Sequence, residues 1–420
     1  MSDWVVGRRV RGSHVAPLSR ALAMWRALAL VAIPAAAGCP LAARAQQFDS
    51  VTTSVVAPGV IHKRIVVSSG PWHVNVLQVD LKRPTISIHG MRADDSFRGR
   101  ETVRSMAERY RGPGEAVAAV NADFFDIKAT GESENNVVVE GSVIKGVKRT
   151  DSPYDTFDNL HSQFAVDWRD HPFIDRFAFV GRAIDGKSTV DLDGLNFWPD
   201  SNAVALYTAP FGDSTPPDSA GRHPLSLVLR SMGRRGDTLL FRIQARPVDH
   251  GGVSLGSGAV LAAGGNRRGE LTALARRGGT VKVVTRFAPY RGRLRTLLGG
   301  WPGLIVDGKS VAEQADIIEG TFPRFSSTRH PRTAIGFSRD SATLFLVTVD
   351  GRRESDSGMS LVELAHLMLQ LGVYQGMNFD GGGSTTMVVN DKVVNSPSDS
   401  SGDRAVGSAL LVVVQLAVRK

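Results

Sequence analysis

The alternation of strand and helix patterns near the C terminus is the feature that most constrains the fold of this chain. Residues 333–337 and 343–349 are rich in apolar and β-branched side chains and flank a short polar turn, which predicts an antiparallel hairpin. A capping-box pattern at residues 360–363 begins a helix whose apolar stripe stops at Gly372. Residues 374–379 give a further strand pattern. Strand, helix and strand within about 40 residues predict a right-handed βαβ unit.

This unit would place three charged side chains at one edge of a sheet. Both strands of a βαβ unit run in the same direction, so their carboxyl ends lie together. Asp350 follows the first strand and Asp380 follows the second. Arg332 opens the hairpin strand that runs the other way, and it therefore meets the same edge. Because ligands in open α/β sheets bind at the carboxyl ends of strands, this edge is predicted to hold a binding site.

A short apolar run at residues 116–120 extends this prediction. It follows a helix pattern at residues 101–110 and is itself followed by Asn121 and Asp123. We expect this strand to join the same sheet, which would bring Asn121 and Asp123 to the site. Phe125 comes next at the strand end, where an aromatic ring is a candidate for stacking on a sugar.

The pattern as a whole predicts an α/β fold of the mixed α+β kind. It combines a mixed central sheet, the C-terminal βαβ unit and a strand-rich insertion. Residues 160–298 carry many short strand patterns separated by Gly, Pro and Asp. We find no internal repeat and no long linker, so residues 46–420 are predicted to form one domain with this strand-rich middle section.

Residues 1–45 are predicted to be a signal peptide. Basic residues flank an apolar stretch at residues 27–37, and residues 43–45 have the small side chains of a cleavage site. The stretch is too short to span a bilayer. Cys39 is the single cysteine, which excludes an intrachain disulfide and offers lipoprotein processing as a minor alternative. The mature chain is therefore expected to be exported, periplasmic or secreted, without a transmembrane helix.

The charge balance favours an anionic partner. Fifty Lys and Arg residues against 41 Asp and Glu give a net charge of +9. No basic run with interleaved aromatic residues is present, so nucleic acid is not the expected partner. A sugar phosphate or an anionic glycan fits the same charge.

The sequence Asp-Gly-Gly-Gly-Ser-Thr directly follows the last predicted strand. Gly381, Gly382 and Gly383 would let backbone N–H groups approach an anion, and Ser384 and Thr385 could donate their hydroxyl groups. The lysine of a Walker loop is missing. A tight turn into the next hairpin explains the glycines equally well when they are taken alone. Their position between Asp380 and two hydroxyl side chains favours a binding loop.

Charged residues near this loop supply the candidate chemistry. Arg332 and Arg352 are predicted phosphate clamps, because a guanidinium group pairs with an oxyanion through two hydrogen bonds. Asp123, Asp350 and Asp380 are the candidates for general acid, general base or nucleophile.

These residues lie in several motifs that occur in a characteristic order. The motifs are Val120-Asn121-Ala122-Asp123-Phe124-Phe125, Gly299-Gly300-Trp301-Pro302-Gly303, His330-Pro331-Arg332-Thr333-Ala334-Ile335-Gly336, Val349-Asp350-Gly351-Arg352, Asn378-Phe379-Asp380-Gly381-Gly382-Gly383-Ser384-Thr385 and Asp403-Arg404-Ala405-Val406-Gly407. Together they resemble the phosphodiester glycosidase family over roughly residues 85–415. Ala122 stands where this family usually has glycine.

The resemblance implies a mixed α/β fold and cleavage of the sugar–O–phosphate bond at the anomeric carbon. The implied substrate is similar to an N-acetylglucosamine 1-phosphodiester, and bacterial relatives suggest a role in exopolysaccharide or cell-envelope glycan metabolism. Asp380 and Asp123 are the expected acting carboxylates, with Asp350 in support. Substrate binding is expected from Asn121, Phe125, both arginines and the glycine loop. No cofactor is expected to be required.

Two other functions fit the same residues. In a metal-dependent phosphodiesterase, Asp123, Asp350, Asp380 and His330 would bind a divalent cation, and the P–O bond would break. A non-catalytic glycan-binding or export factor would bind the same ligand without turnover.

Overall fold

Strands predominate in this protein and gather into three large sheets. The computed structural model describes residues 48–150, 152, 155–186, 188–198, 200–219, 222–277 and 279–415. The predicted signal peptide at residues 1–45, including Cys39, lies outside the described residues. Within them, no helix has both the length and the apolar character needed to cross a membrane.

The strands are numbered here in chain order. They are β1 (Ser50–Ala57), β2 (Val60–Val67), β3 (Trp72–Asp80), β4 (Ile86–Arg92), β5 (Glu101–Thr102), β6 (Glu115–Asn121), β7 (Val137–Val139), β8 (Ser142–Val147), β9 (Ser162–Asp167), β10 (Pro172–Arg176), β11 (Ala178–Ile184), β12 (Thr189–Leu192), β13 (Gly194–Leu195), β14 (Val204–Thr208), β15 (Leu225–Arg235), β16 (Thr238–Ile243), β17 (Ala259–Ala263), β18 (Thr280–Ala288), β19 (Leu294–Gly299), β20 (Gly303–Val306), β21 (Lys309–Ser310), β22 (Arg332–Phe337), β23 (Thr343–Val349), β24 (Gln375–Asn378), β25 (Met387–Val389), β26 (Lys392–Val393), β27 (Ala405–Val406) and β28 (Ser408–Val414).

Helices are short and few by comparison. The α-helices are α1 (Val103–Glu108), α2 (Arg268–Arg277), α3 (Ala315–Glu319), α4 (Pro323–Ser327) and α5 (Leu361–Gln370). Single 3₁₀ turns occur at Ala93–Asp95, Ala209–Phe211, Gly265–Arg267, Ala312–Gln314 and Gly382–Ser384.

The first large sheet has eight strands in the order β1-β2-β3-β23-β22-β24-β20-β21, and each strand runs antiparallel to its neighbours. The predicted capping box is present at the start of α5, where Ser360 accepts from the Glu363 amide and Glu363 accepts from the Ser360 amide. Apolar residues of α5 pack on the sheet in one cluster with side chains of β3, β22 and β23. The crossover helix therefore forms as its sequence pattern predicts.

β23 and β24 have the relative direction that the βαβ prediction requires, but they are not adjacent in the sheet. β23 and β24 run in the same direction, because each pairs antiparallel with β22, which lies between them. The sheet is thus antiparallel, not mixed as expected. The physical reason is that the hairpin formed by β22 and β23 leaves the other edge of β22 free for β24.

The second large sheet contains thirteen strands, including every strand from β9 to β19. Its own apolar cluster joins residues from Val138 to Leu297. It holds the one parallel pair, β13 with β14, among the strands of the described residues.

The third large sheet has five strands in the order β26-β25-β6-β28-β4. Our expectation that β6 joins the sheet of β22 and β24 is therefore wrong. Both edges of β6 are occupied, because Ala119 pairs with Val388 of β25 on one side and with Leu411 of β28 on the other. One apolar cluster packs this sheet against the eight-stranded sheet, and it includes Val120 and Phe379.

Candidate active site

The end of β6 meets the glycine loop where these two sheets pack together. The Asp380 amide donates to the Ala122 carbonyl oxygen over 2.9 Å. The side-chain amide nitrogen of Asn121, Nδ2, donates to the Asp380 carbonyl oxygen over 2.6 Å. Asn121 Oδ1 accepts from Thr333 Oγ1 at 2.8 Å and from the Thr386 amide at 3.1 Å. Three hydrogen bonds of one buried amide thus connect β6, β22 and the loop.

A cavity of about 690 Å³ opens beside this junction. Its volume is in the range of small-molecule sites. Its lining is Phe124, Phe125, Ile127, Phe322, Pro323, Arg324, Phe325, His330, Arg332, Arg352, Asp380, Gly381, Gly382, Gly383 and Arg404.

Arg332 and Asp380 line the same cavity, as the strand directions predict. Arg332 is 1% exposed and still carries no acidic partner among the described residues. Its Nε donates to the Met359 carbonyl oxygen, and its Nη2 donates to the carbonyl oxygens of Phe325 and Thr328. Burial and the nearby Arg352 lower the pKa of Arg332 to about 9, so it remains a cation at neutral pH. A buried guanidinium group without an acidic partner at a cavity wall is chemically suited to an anion.

Three more arginines line the same cavity, namely Arg324, Arg352 and Arg404. Arg352 is exposed and makes no hydrogen bond or ion pair within the described part of the chain. Arg404 is held by Asp399 through two hydrogen bonds of 2.7 and 2.9 Å, and its Nη1 lies 3.3 Å from Ser384 Oγ. Arg404 was not among the predicted site residues, although it lies in the Asp403-Arg404-Ala405-Val406-Gly407 motif.

The glycine loop makes room for these arginines. A Cβ atom on Gly383 would lie 2.0 Å from Arg404 Nη2, and one on Gly382 would lie 2.9 Å from Arg352 Nη2. The amides of Gly382, Ser384 and Thr385 already donate to protein carbonyl oxygens. The loop therefore acts chiefly by admitting guanidinium groups, and less as the backbone nest that its sequence predicts.

Asp380 is half-buried at the cavity wall. Burial raises its pKa to about 6, although Ser384, Arg404 and Arg352 all favour the ionised form. His330 lies on the same wall, and burial together with Arg332, Arg352 and Arg324 lowers its pKa to about 4. At neutral pH the cavity thus presents one carboxylate and a neutral imidazole among four arginines.

Asp123 lies in the protein interior and does not line the cavity. Its two carboxyl oxygens accept from Asn135 Nδ2 at 2.8 Å and from the Asn135 amide at 3.1 Å. Burial, together with the charge of Asp380, raises the pKa of Asp123 to about 7. Gly299 packs directly on this carboxyl group, since a Cβ atom there would lie 2.2 Å from Asp123 Oδ1.

Sequence reasoning missed a third carboxyl group, Glu134, near this pair. Burial raises the pKa of Glu134 to about 8, and the charges of Asp123 and Asp380 act in the same direction. It lines a smaller cavity of about 500 Å³ that shares Phe125 and Ile127 with the first. Its position between two predicted strands gives no periodic signal that would identify it from sequence.

Besides Asp123, four further predicted site residues lie outside the cavity lining. Asp350 is buried, and its Oδ1 accepts from the Ser396 amide at 2.9 Å, so it holds the chain after β26. The others, Asn121, Ser384 and Thr385, are buried beneath the loop.

Apolar side chains form another part of the cavity lining. Phe124 and Phe125 belong to it, and the stacking of Phe125 on a sugar stays a prediction. Phe325 of α4 stacks on Trp301, with ring centroids 4.9 Å apart, and Phe124 meets Trp301 edge-on at 6.0 Å. No sequence pattern indicated that α4 contributes to the cavity.

The proposed metal ligands do not form a centre. Among the described residues, no group of three or more His, Cys, Asp and Glu side chains has a geometry that could hold a metal ion. Asp350 binds the Ser396 amide, and His330 lies among arginines, which oppose a bound cation.

Comparison with known proteins relates the C-terminal part of the chain to one family. Residues 241–413 match the phosphodiester glycosidase family. This range includes α4, the glycine loop and the cavity arginines, but not Phe124, Phe125 or Ile127. The resemblance expected from the sequence motifs is therefore confirmed, and it supports a hydrolase of the glycosidase type.

Particular relatives extend this finding. The chain is 34% identical over 166 residues to the N-acetylglucosamine-1-phosphodiester alpha-N-acetylglucosaminidase of Bos taurus. That match covers 36% of this chain and 30% of the bovine protein, so the chain matches less than a third of this relative's length.

Two solved structures share the fold. A hypothetical protein from Synechocystis superposes with a TM-score of 0.69 at 22% identity, covering 87% of this chain and 64% of that one. A protein of Burkholderia pseudomallei K96243, named as an exported protein, gives 0.62 at 23% identity and covers 82% and 74%.

Proposed function

We propose that this protein hydrolyses the glycosidic bond of a sugar 1-phosphodiester. The observation that carries this proposal is the shared cavity of Arg332 and Asp380. Arg332 offers a buried positive charge without an acidic partner, which suits a phosphate group, and Asp380 offers a carboxyl group beside it. In a sugar 1-phosphodiester a single bridging oxygen joins the phosphorus to the anomeric carbon. The phosphate can therefore lie at Arg332 while the anomeric carbon lies near Asp380.

The chemistry follows from this arrangement. The C–O bond between the anomeric carbon and the bridging oxygen breaks, and the phosphate monoester leaves with that oxygen. Positive charge develops on the sugar ring, and the Asp380 carboxylate stabilises it. Negative charge develops on the departing phosphate, and Arg332, Arg352 and Arg404 stabilise that charge. The oxygen of a water molecule then bonds to the anomeric carbon and becomes the hydroxyl group of the free sugar, and the second proton of that water passes to the departing phosphate monoester or to solvent.

The carboxyl groups behind the cavity have a supporting part in this proposal. Asp123 holds its proton up to about pH 7, and its charge state is coupled to that of Asp380. It thereby adjusts how readily Asp380 ionises. Asp350 keeps the chain at Ser396 in place.

The proposed sugar is N-acetylglucosamine, the sugar in the name of the bovine relative. The proposed setting is exopolysaccharide or cell-envelope glycan metabolism after export from the cytoplasm. The name of the Burkholderia structure and the sequence pattern of residues 1–45 support export.

The test is turnover of a small panel of sugar 1-phosphodiesters, including UDP-N-acetylglucosamine, with release of free sugar as the readout. Hydrolysis in ¹⁸O-labelled water then identifies the bond that breaks. Label in the sugar supports the proposal, whereas label in the phosphate indicates a phosphodiesterase, in particular if a chelator abolishes turnover. Tight binding of the panel without any turnover, with Asp380→Ala retaining that affinity, indicates a binding factor instead.

A further inference from the structure

We propose that the group on the far side of the phosphate is a long apolar chain, so that the substrate is a sugar 1-phosphate esterified to an alkyl or isoprenoid alcohol. This inference rests on the proposed function and specifies its substrate class. It is carried by six apolar side chains, referred to below as the apolar wall, that line the cavity next to its four arginines.

The apolar wall is larger than stacking on one sugar requires. Six of the fifteen lining residues are apolar and lie together in two chain segments: Phe124, Phe125, Ile127, Phe322, Pro323 and Phe325. Ile127 and Phe322 remain 36% and 40% exposed. Neither Ile127 nor Pro323 offers an aromatic face to a sugar ring, but both suit the flexible methylene groups of a chain. Exposed apolar side chains at a cavity mark a binding surface.

Further exposed apolar side chains lie near the segment of Phe322. The Thr156 amide donates to the Gly320 carbonyl oxygen over 2.7 Å, which brings the segment of Phe157 beside that of Phe322. The ring of Phe157 lies 3.1 Å from the position of a Cβ atom on Gly320. Phe157 is 45% exposed, and Ile317 in the neighbouring α3 is 76% exposed. A chain that is longer than the cavity would therefore meet further apolar side chains.

The apolar wall packs on a stacked layer of aromatic rings. Phe325 stacks on Trp301, and Trp301 stacks on His161 with ring centroids 5.2 Å apart. The Trp301 ring nitrogen donates to the Glu319 carbonyl oxygen over 2.7 Å. This layer holds Phe322 and Phe325 at the cavity.

Arg332 lies directly against the apolar wall. Its Nη2 donates to the carbonyl oxygens of Phe325 and Thr328, which fixes α4, and its guanidinium carbon lies 5.0 Å from the centre of the Phe325 ring. A phosphate bound at Arg332 therefore lies next to the apolar wall. An anionic head directly joined to an apolar tail matches this order of charge and apolar surface.

Esters of N-acetylglucosamine 1-phosphate with methanol, butanol and octanol provide the test, each used below its critical micelle concentration. Each buried methylene group contributes about 0.8 kcal/mol, so burial of two lowers KM by roughly tenfold. We expect at least this difference in KM between the methyl and octyl esters.

Ile127→Ser and Phe322→Ser should each reduce the difference in KM between the octyl and methyl esters to about threefold or less. Met232→Ser replaces a side chain of similar exposure outside the cavity and should keep the full difference.

A binding measurement separates this inference from the proposed function. Octyl phosphate should bind to the full chain at least about tenfold more tightly than methyl phosphate in calorimetry, whether or not any ester is hydrolysed. Tighter binding of octyl phosphate without hydrolysis of any ester contradicts the proposed function and leaves the apolar site standing. Equal KM values for the methyl and octyl esters, or a preference for an ester with a second sugar, overturn the apolar chain while hydrolysis stands. If one variant fails to fold, the other still decides the result.

Discussion

The side-chain amide of Asn121 donates a 2.6 Å hydrogen bond to the main-chain carbonyl oxygen of Asp380, and so joins residues that are 259 positions apart in the chain. This bond links the end of β6 in one sheet to the loop that follows β24 in another. The same side chain accepts from Thr333 and Thr386, so all three bonds belong to one buried group. The position of the Asp380 carboxyl group therefore depends on a residue that does not itself line the cavity.

Replacement of Asn121 by alanine should lower both stability and activity. It leaves the Asp380 carbonyl oxygen, the Thr333 hydroxyl group and the Thr386 amide without this partner, and each buried unsatisfied group costs about 1–3 kcal/mol. Thermal unfolding and kcat of the folded fraction measure the two effects, and we expect kcat to fall by about 100-fold because a small displacement of a catalytic group is enough for that.

Asn136→Ala is the matched control for this variant. Asn136 is also fully buried, but it bonds to Phe177 and Val147, away from the cavity. We expect a comparable loss of stability with kcat retained. A loss of kcat as large as that in Asn121→Ala would mean that general destabilisation, rather than the position of Asp380, explains both variants.

Arg352→Ala should weaken phosphate binding without affecting the fold. Arg352 is exposed and has no ion pair in the described part of the chain, so the free energy of unfolding should change by less than about 0.5 kcal/mol. Loss of one charged hydrogen-bond donor to the leaving phosphate should lower kcat/KM by about 10- to 100-fold. Inhibition by inorganic phosphate should weaken in parallel.

The next residue, Arg353, supplies the control. It is equally exposed, donates to the Pro397 carbonyl oxygen and does not line the cavity. Arg353→Ala should leave kcat/KM and phosphate inhibition within about twofold of the original protein. Equal losses in the two variants would show that the overall positive charge, rather than a specific contact, attracts the substrate.

The local part of this fold was predictable because its signals lie within about 50 residues of one another. Strand patterns, the capping box and Gly372 define β22, β23, α5 and β24 almost to the residue. From their directions alone, Arg332 and Asp380 are predicted at one edge, and both line the cavity.

The remaining part of the site depends on contacts that leave no local pattern. The partners of β6 follow it by more than 260 residues, so its run of apolar residues predicts a buried strand but not its sheet. The apolar wall from α4 comes from a helix of five residues, which is too short for a helical periodicity. Glu134 acquires its raised pKa only through burial near Asp123 and Asp380.

Asp380→Asn should separate catalysis from stability. The substitution keeps the size of the side chain and removes a charge that burial disfavours, so the melting temperature should stay the same or rise. Turnover should fall by about 1,000-fold or more, since the carboxylate that stabilises the sugar cation is lost.

Asp350→Ala should affect stability more than turnover. Loss of the hydrogen bond to Ser396 should lower the free energy of unfolding by about 1–3 kcal/mol, and turnover should fall by less than tenfold. If Asp350→Ala proved the more damaging to turnover, the assignment of Asp380 would be wrong.

The dependence of kcat/KM on pH should be bell-shaped. The two coupled carboxyl groups have raised pKa values of about 6 for Asp380 and about 7 for Asp123. Below pH 6 Asp380 gains a proton and can no longer stabilise the sugar cation. Above pH 7 Asp123 loses its proton, and two buried negative charges then lie close together. Activity should therefore be highest between these values, which belong to the coupled pair and not strictly to either residue.

Asn135→Ala tests the assignment of the alkaline limb. Asn135 Nδ2 donates to Asp123 Oδ1 over 2.8 Å, and this hydrogen bond favours the ionised carboxylate. Its removal should raise the pKa of Asp123, so the alkaline limb should move to higher pH by up to about one unit while the acid limb stays in place. Measurement of kcat/KM from pH 4.5 to about 9 for both proteins decides the matter. A shift to lower pH, or a shift of the acid limb alone, would mean that Asp123 does not control the alkaline limb.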